Sequence, residues 1–453
     1  MTETLEIEEQ FDWLKEVLRK EDMTTFRDVF LDWHLYEEAQ FYLSLDENER
    51  QKIYHFLSPY EMANLFDVIE EEHEDVKEFL AEMRPSYAAE MLTEMYTDNA
   101  VDILNQLDKA TVARFLSTMK SEKVEDIKEL LHYEDKTAGS IMTTDYVAIV
   151  ANQTVKSALT LLKKKALTAE IIYYIYVIRE DETLVGVISL RDLIVSDDEM
   201  MIADIMNERV ISVRVGDDQE DVAKMIRDYD FLAVPVIDYE DCLLGIITVD
   251  DIIDVIDDEA ASDYSGLAGV DVEAVAETPL KASSKRLPWL ITLLFLGMST
   301  ATLISHYEVM INEASILAVF ISLITGTAGN AGTQSLAVAV RRLAISDDKD
   351  AGFVRLILNE VLTGVITGLV TGAVICVVIG LWKNNFVLGL VIGIAMLCAI
   401  TVANLAGSLI PMLMEKLGFD PAVASGPFIT TLSDLTSVLI YFNIASLFMS
   451  FFV

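Results

Sequence analysis

Residues 426–442 read GPFITTLSDLTSVLIYF, a run whose only charged residue is Asp434. With its flanks it predicts an apolar helix over Ala422–Phe448, more than the roughly 20 residues a bilayer crossing takes. A buried helix of a water-soluble core is normally shorter and keeps one polar face, which this segment lacks. The chain is therefore expected to enter a membrane, with a carboxylate well inside the crossing.

Four further runs of this kind lie upstream, near Leu287–Ser305, Ala314–Val340, Phe353–Leu381 and Phe386–Met414, and none precedes Arg286. Lys281, Lys285 and Arg286 come before the first span. Arg341, Arg342, Lys349 and Arg355 flank the link from the second span to the third, and Lys416 follows the fourth. The opposite side holds Lys383, with Glu308 and Glu313 in its first loop. The positive-inside rule then puts the N-terminal half in the cytosol and, with five spans, the C-terminus outside. The expected location is the cell (plasma or inner) membrane, multi-pass.

A polar group inside a span costs several kcal/mol unless it faces protein or water, so such groups mark function. Asp434 is flanked by Thr430, Thr431, Ser433 and Thr436, and no span interior contains a base to neutralise it. The second span carries GTAGNAGTQS (326–335), where Gly329 and Asn330 belong to a small, polar turn suited to close helix approach or a wet path. Asn404, followed by Gly407 and Pro411, is a further polar break, whereas Asn359 and Glu360 are placed where they can snorkel to the cytosolic edge. One carboxylate ringed by hydroxyls suits a hydrated hard cation such as Mg2+, which takes oxygen ligands and keeps several waters. Cys376 and Cys398 have no His or Cys partner nearby, which disfavours copper and zinc. Calcium, manganese and cobalt stay open on this chemistry.

Charge divides the chain sharply. Of 74 acids and 33 bases in 453 residues, only 9 acids and 6 bases follow Arg286. The preceding part carries a net charge of −38, which repels nucleic acid and attracts cations. The three cysteines, Cys242, Cys376 and Cys398, are too widely spaced for a disulfide framework or a zinc site. The opening MTETLEIEEQFDWL is acidic and amphipathic, unlike a signal or transit peptide.

Within this acidic part a unit recurs. SIMTTDYVAI (140–149) and IIYYIYVIREDETLVGVISLRDLI (171–194) are echoed by DIMNERVISV (204–213) and FLAVPVIDYEDCLLGIITVDDII (231–253). Each copy predicts a helix, a β-branched strand, an acidic turn and a second strand running into a helix. The repeat resembles a tandem pair of CBS domains, a nucleotide-sensing module. That resemblance implies that Ser189 with Asp192, and Thr248 with Asp251, can grip a phosphate and ribose, making ATP a candidate ligand. The same residues also fit helix N-caps.

Residues before about Tyr133 predict short stacked helices, as in SPYEMANLFDVI, RPSYAAEMLTEM, TDNAVDILNQL and KATVARFLSTM. Their Met and Leu stripes are expected core, with Glu70, Glu71, Glu72, Asp98 and Asp102 outside. After the repeat, DDIIDVIDDEAASDYSGLAGVDVEAVAE (250–277) opens a helix in which Asp251, Asp254 and Asp258 share a face and repel one another.

Taken together with AEIIYYIYVI, ITVDDIIDVI and FDPAVASGPFITTLSDLTSVLIY, this order resembles the MgtE family of magnesium channels along essentially the whole chain. The expected fold is a multidomain membrane protein. It has an all-α helical-repeat N domain (1–135), an α/β tandem CBS pair (136–256), a connecting plug helix with linker (257–286) and a five-helix transmembrane domain (287–453). The resemblance implies a homodimer whose second and fifth spans line a pore, with Asp434 holding hydrated Mg2+ beside carbonyls near Thr430. It implies cytosolic sensor ligands at Asp230, Asp251, Asp254, Glu259 and Asp263, with Asp98 and Asp102 from the N domain and Asp420 at the cytosolic mouth. Bound Mg2+ would close the pore as negative feedback. Ser262 stands where the family often has a second acid.

Other classes fit worse. An anion path calls for basic groups or helix N-termini in the spans. A zinc protease calls for a motif such as H-E-x-x-H, and only His306 of the five histidines lies in the membrane half. A transporter of Mn2+ or Co2+ is the nearest alternative, and an organic-solute carrier a more distant one.

Overall fold

The computed structural model describes residues 2–69, 76–119, 123–270, 278–345, 353–417, 421 and 426–451. It forms two compact units, Met1–Ile256 and Asp257–Val453. Of the acids expected on the outside, Glu70, Glu71 and Glu72 lie outside the described residues, as does Asp420.

The first unit opens with short helices α1 (Thr2–Arg19), α2 (Met23–Phe30), α3 (Leu35–Leu43), α4 (Glu47–Phe56) and α5 (Pro59–Ile69). It continues with α6 (Val76–Glu82), α7 (Pro85–Glu94), α8 (Thr97–Asn105), α9 (Lys109–Thr118) and α10 (Lys123–Leu130). Their lengths follow from punctuation in the sequence. Asp46 and Glu49 form a capping box at α4, Asp108 caps α9, and Pro85 starts α7, where its missing N–H goes unneeded. Met62, Met91, Met95, Leu65, Leu92 and Leu104 are fully buried, as their spacing predicts. Arg50 closes on Glu82 in a mostly buried pair that ties α4 to α6.

Two three-stranded sheets follow. β1 (Ala148–Val150), β2 (Tyr174–Ile178) and β3 (Leu184–Ser189) form one; β4 (Val213–Arg214), β5 (Ala233–Ile237) and β6 (Leu243–Thr248) form the other. In each, the first pair is parallel and the second antiparallel. Tyr174 opposite Ser189 is matched by Ala233 opposite Thr248, and both sheets shift register at the same point, Val177/Ile178 and Val236/Ile237. The internal repeat is thus a structural repeat. Its helices are α11 (Val155–Lys165), α12 (Leu190–Val195), α13 (Ile202–Ile205) and α14 (Gln219–Tyr229).

One helix, α15 (Val249–Ala268), runs through the division between the units. In the second unit its end lies against the membrane helices: Leu267 packs with Ile410, Phe428 and Ile429. Five helices there are long and apolar enough to cross a membrane. They are α16 (Pro279–His306), α18 (Ile321–Ile345), α19 (Phe353–Trp382), α20 (Phe386–Lys416) and α21 (Gly426–Leu447), with short α17 (Glu308–Glu313) after the first. A 3-10 turn, Ser315–Phe320, leads into α18.

Helix α16 departs from expectation. It starts at Pro279 rather than Leu287, so Lys281, Lys285 and Arg286 lie on its opening turns and not in a separate linker. Pro279 sits at the first helical position, and Pro288 is carried inside an apolar helix.

Helices α18, α19 and α20 approach closely because glycine leaves room for backbone contact. A Cβ on Gly407 would collide with the Gly332 carbonyl oxygen, and one on Gly372 with that of Gly393. Neither backbone can yield as a flexible side chain would. Gly407→Val is expected to destabilise the membrane unit by about 1–3 kcal/mol, the usual range for overpacking. Thermal unfolding in detergent should show a lowered midpoint, and an unchanged one would refute the crossing.

Candidate metal centre

Three carboxylates from separate parts of the first unit converge. Asp98 lies on α8, Glu170 stands between α11 and β2, and Asp251 is in the first turn of α15. One oxygen from each lies within 4.8 Å of the others. Asp98, expected on the outside, is only 6% exposed because α8 turns this face inward. Asp98 Oδ1 and Glu170 Oε2 are buried without a hydrogen-bond partner among the described residues.

Uncompensated burial of charge is costly, and the carboxyls respond. Burial, then the nearby charges of Glu170 and Asp251, pushes Asp98 well above the ordinary carboxylate range. Burial, then Asp251 and Asp250, raises Glu170 to about 8 against a smaller lowering by the Thr143 and Thr248 hydroxyls. Asp251 rises to about 6, again through burial first, while the Thr248 hydroxyl and N–H that it accepts pull it down. Crowding by protein atoms, with Asp251 and Asp135 behind it, raises Asp102 to about 7, although this residue keeps solvent access on α8.

Such a cluster is an oxygen-only, hard-cation donor set, without the thiolate or imidazole ligands that softer metals prefer. A cation held there would satisfy the two orphaned oxygens and offset the mutual repulsion. Of the three, Asp98 and Asp251 were singled out from the sequence, and Glu170 was not. Its only signal was an acid immediately ahead of an otherwise uncharged β-branched strand, which many loops share.

The remaining candidates are distributed more widely. Asp254 is exposed one turn along α15, and Glu259 and Asp263 lie on the part of α15 that belongs to the second unit. Asp230 is exposed at the C-cap of α14 with φ 55°, a left-handed position, and does not join the cluster. Ser189 caps α12 through the Asp192 N–H, and both side chains bond to each other near solvent. Thr248 differs: it is 1% exposed and engaged by Asp251, so a ligand reaching it would have to displace the carboxylate cluster.

In the membrane unit Asp434 is half-buried in α21, and no Lys or Arg pairs with it among the described residues. Gly329 on α18 brings that helix against Thr430: a Cβ there would lie 3.0 Å from Thr430 Cγ2. Asn330 beside it is exposed. Asn404 lies on α20. It is 7% exposed, and its carbonyl accepts the Ser335 and Ser408 hydroxyls, because the close approach of α18 and α20 encloses it. Glu360 likewise does not simply snorkel, since one carboxyl oxygen lies 3.1 Å from the Ser335 hydroxyl.

The raised carboxyls give the metal-free protein a signed pH dependence. A carboxyl with folded pKa above its unfolded value of about 4.3 contributes stability that is complete below that value and is lost as pH climbs through about 8. Thermal unfolding in chelator should therefore show the first unit weakening from pH 5 to pH 8. Glu170→Gln is expected to flatten this slope; an equally steep slope in the variant would contradict the assignment.

Comparison with known proteins agrees with this architecture. A family model described as a divalent cation transporter, MgtE, matches residues 321–444, and one for the MgtE intracellular N domain matches 33–136. CBS domain models match 138–198 and 202–258. The chain is 73% identical to the magnesium transporter MgtE of Enterococcus faecalis over the full length of both, and 37% identical to that of Bacillus subtilis over 86% of this chain and 92% of the relative. A crystal structure of the soluble part of a magnesium transporter is 67% identical, covering 56% of this chain and all of that one, with a TM-score of 0.55. The chain therefore belongs to the MgtE family of divalent cation transporters, which are not enzymes.

Proposed function

We propose that this protein conducts Mg2+ inward across the cell membrane and that Asp98, Glu170 and Asp251 form a cytosolic Mg2+ sensor that restrains the flow. The observation that carries the transport reading is Asp434, a carboxylate inside a crossing helix with hydroxyls around it and no base beside it. Thr430, whose hydroxyl bonds back to the Gly426 carbonyl, lies one turn earlier. Gly329 and Asn330 complete this wall of the path, and two copies of Asp434 face the hydrated cation in a homodimer. Relatives named as magnesium transporters support the choice of ion.

The sensor works by linkage. Asp98, Glu170 and Asp251 come from α8, the first repeat and α15, so a cation they share favours the arrangement that brings these elements together. At about 100 times its dissociation constant, a single cation adds about 2.7 kcal/mol to that arrangement. Asp102 and Asp254 enlarge the negative field around it. Helix α15 continues from Asp251 through Glu259 and Asp263 to Leu267, which packs beside the start of α21. It is the plug through which sensor occupancy reaches the path, with Asp420 at the mouth and Asp230 as a further sensor ligand. The N-terminal half is cytosolic and the C-terminus faces outside. Ser189, half-buried, and Asp192, exposed, are the pair we assign to ATP.

Two experiments test these readings. Mg2+ uptake by proteoliposomes should be lost in Asp434→Ala and strongly reduced in Asp434→Asn; undiminished uptake in both would refute the pore assignment, and equal uptake of Mn2+ would shift the substrate class. For the sensor, limited proteolysis of the full-length protein should show protection as Mg2+ rises. Glu170→Gln should move half-protection to roughly ten-fold higher Mg2+ or more, given what one ligand contributes to a hard-cation site. Digestion indifferent to Mg2+ would refute the sensor.

A further inference from the structure

We infer that Asp145, which is no part of the carboxylate cluster, is the positioning residue that assembles it. This rests on the sensor reading given above. Asp145 ends the segment that leads from the first helical layers into β1, and its two functional groups act on different neighbours. The side-chain Oδ2 accepts the Thr97 N–H at 2.9 Å and the Thr97 hydroxyl at 2.7 Å. The backbone carbonyl accepts the Glu170 N–H at 2.9 Å. Thr97 immediately precedes Asp98. One residue therefore holds Glu170 by its own backbone, through the main chain, and the residue next to Asp98, through the side chain.

The arrangement answers a need of α8. The first N–H groups of a helix lack partners within it, and Tyr96 at the N-cap supplies no side-chain cap. Asp145 caps α8 from outside, across 48 residues of sequence. The Thr144 hydroxyl adds a bond to the Thr97 hydroxyl at 3.1 Å. Lys123 Nζ lies 2.9 Å from Asp145 Oδ2 and also donates to the Met95 carbonyl, so the same short stretch, Met95–Thr97, is bound twice. Both members of the ion pair are mostly buried, with side-chain exposures of 20% and 16%.

Lys123 also explains how a fourth carboxylate is tolerated so close to the cluster. Its ammonium offsets the Asp145 charge, which leaves Asp98, Glu170 and Asp251 as the acids in need of a cation. None of these bonds involves a metal. Asp145 thus keeps α8 docked and the sensor oxygens aimed together before any cation arrives, which lowers the ordering that binding would otherwise demand.

The test uses the full-length protein in detergent, with Mg2+ as the probe and limited proteolysis as the readout. Asp145→Ala retains all three cluster carboxylates, so protection should still reach the wild-type extent at saturating Mg2+. Half-protection should require roughly ten-fold more Mg2+, as for loss of an outer partner of a metal site. Asp145→Asn keeps an oxygen for the Thr97 N–H and should recover part of the shift, and it serves if the alanine variant does not fold. In chelator, hydrogen exchange at the Thr97 amide should be slow in the wild type. Wild-type midpoints in both variants, in a preparation where Asp98→Asn does shift the midpoint, would overturn the positioning role. Fast Thr97 exchange without metal would overturn it as well. Should Asp98→Asn also leave the midpoint unmoved, the sensor reading itself fails.

Discussion

Carboxylates crowded into protein surroundings cannot all stay ionised unless something positive joins them, and this constraint organises the first unit. Asp98, Glu170 and Asp251 each belong to an element that folds for its own reasons: a short capped helix, a strand approach and a helix following β6. Their convergence to within 4.8 Å is unfavourable by itself, as the upward displacement of all three carboxyls records. One continuous apolar core holds them there, with buried Leu92, Ile103 and Leu104 from the helical layers and Val234, Ile247 and Ile252 from the second repeat and α15. Stability stored in packing is what permits an unsatisfied charge cluster to exist.

The membrane unit handles a related problem differently. Asp434 has no compensating base among the described residues, but the helix that carries it is kept in place by contacts of other kinds. The Tyr441 hydroxyl donates to the Leu317 carbonyl, and Tyr307 stacks on Phe442 at 4.7 Å between ring centres. On the other side, the Gly332–Gly407 crossing brings backbones together where a side chain would not fit. Small residues thus help define where α18, α20 and α21 run, and Asp434 stays half-buried on α21. Helix α15 belongs to both stories, carrying Asp251 near its start and packing Leu267 near α21 at its end.

Much of this was legible without coordinates. Five apolar runs, the repeat ending in G-V-I-S-L-R-D-L-I and G-I-I-T-V-D-D-I-I, and the capped short helices all announce local structure, because periodicity and capping act within a few residues. Asp434 was legible too, since a lone acid in a long apolar run needs no neighbour to stand out. Asp251 could be placed as the acid after a strand-ending Thr. The Ser335 contacts of Asn404 and Glu360 were not legible, since which neighbouring helix a polar group in a span meets depends on crossings made by glycines far away in sequence.

The sequence by itself determined the elements, their order, the repeat, the membrane crossings and the sign of the charge each part carries. Those properties depend on residue type and short-range spacing. Only the tertiary structure decided that Asp98 turns inward, that Glu170 joins it, that Thr248 is closed off by Asp251, and that Asp145 reaches back to cap α8. Each of these depends on which faces of separately folded elements meet. That is set by the fit of whole apolar surfaces, and the identity of one acid in a loop carries no trace of it.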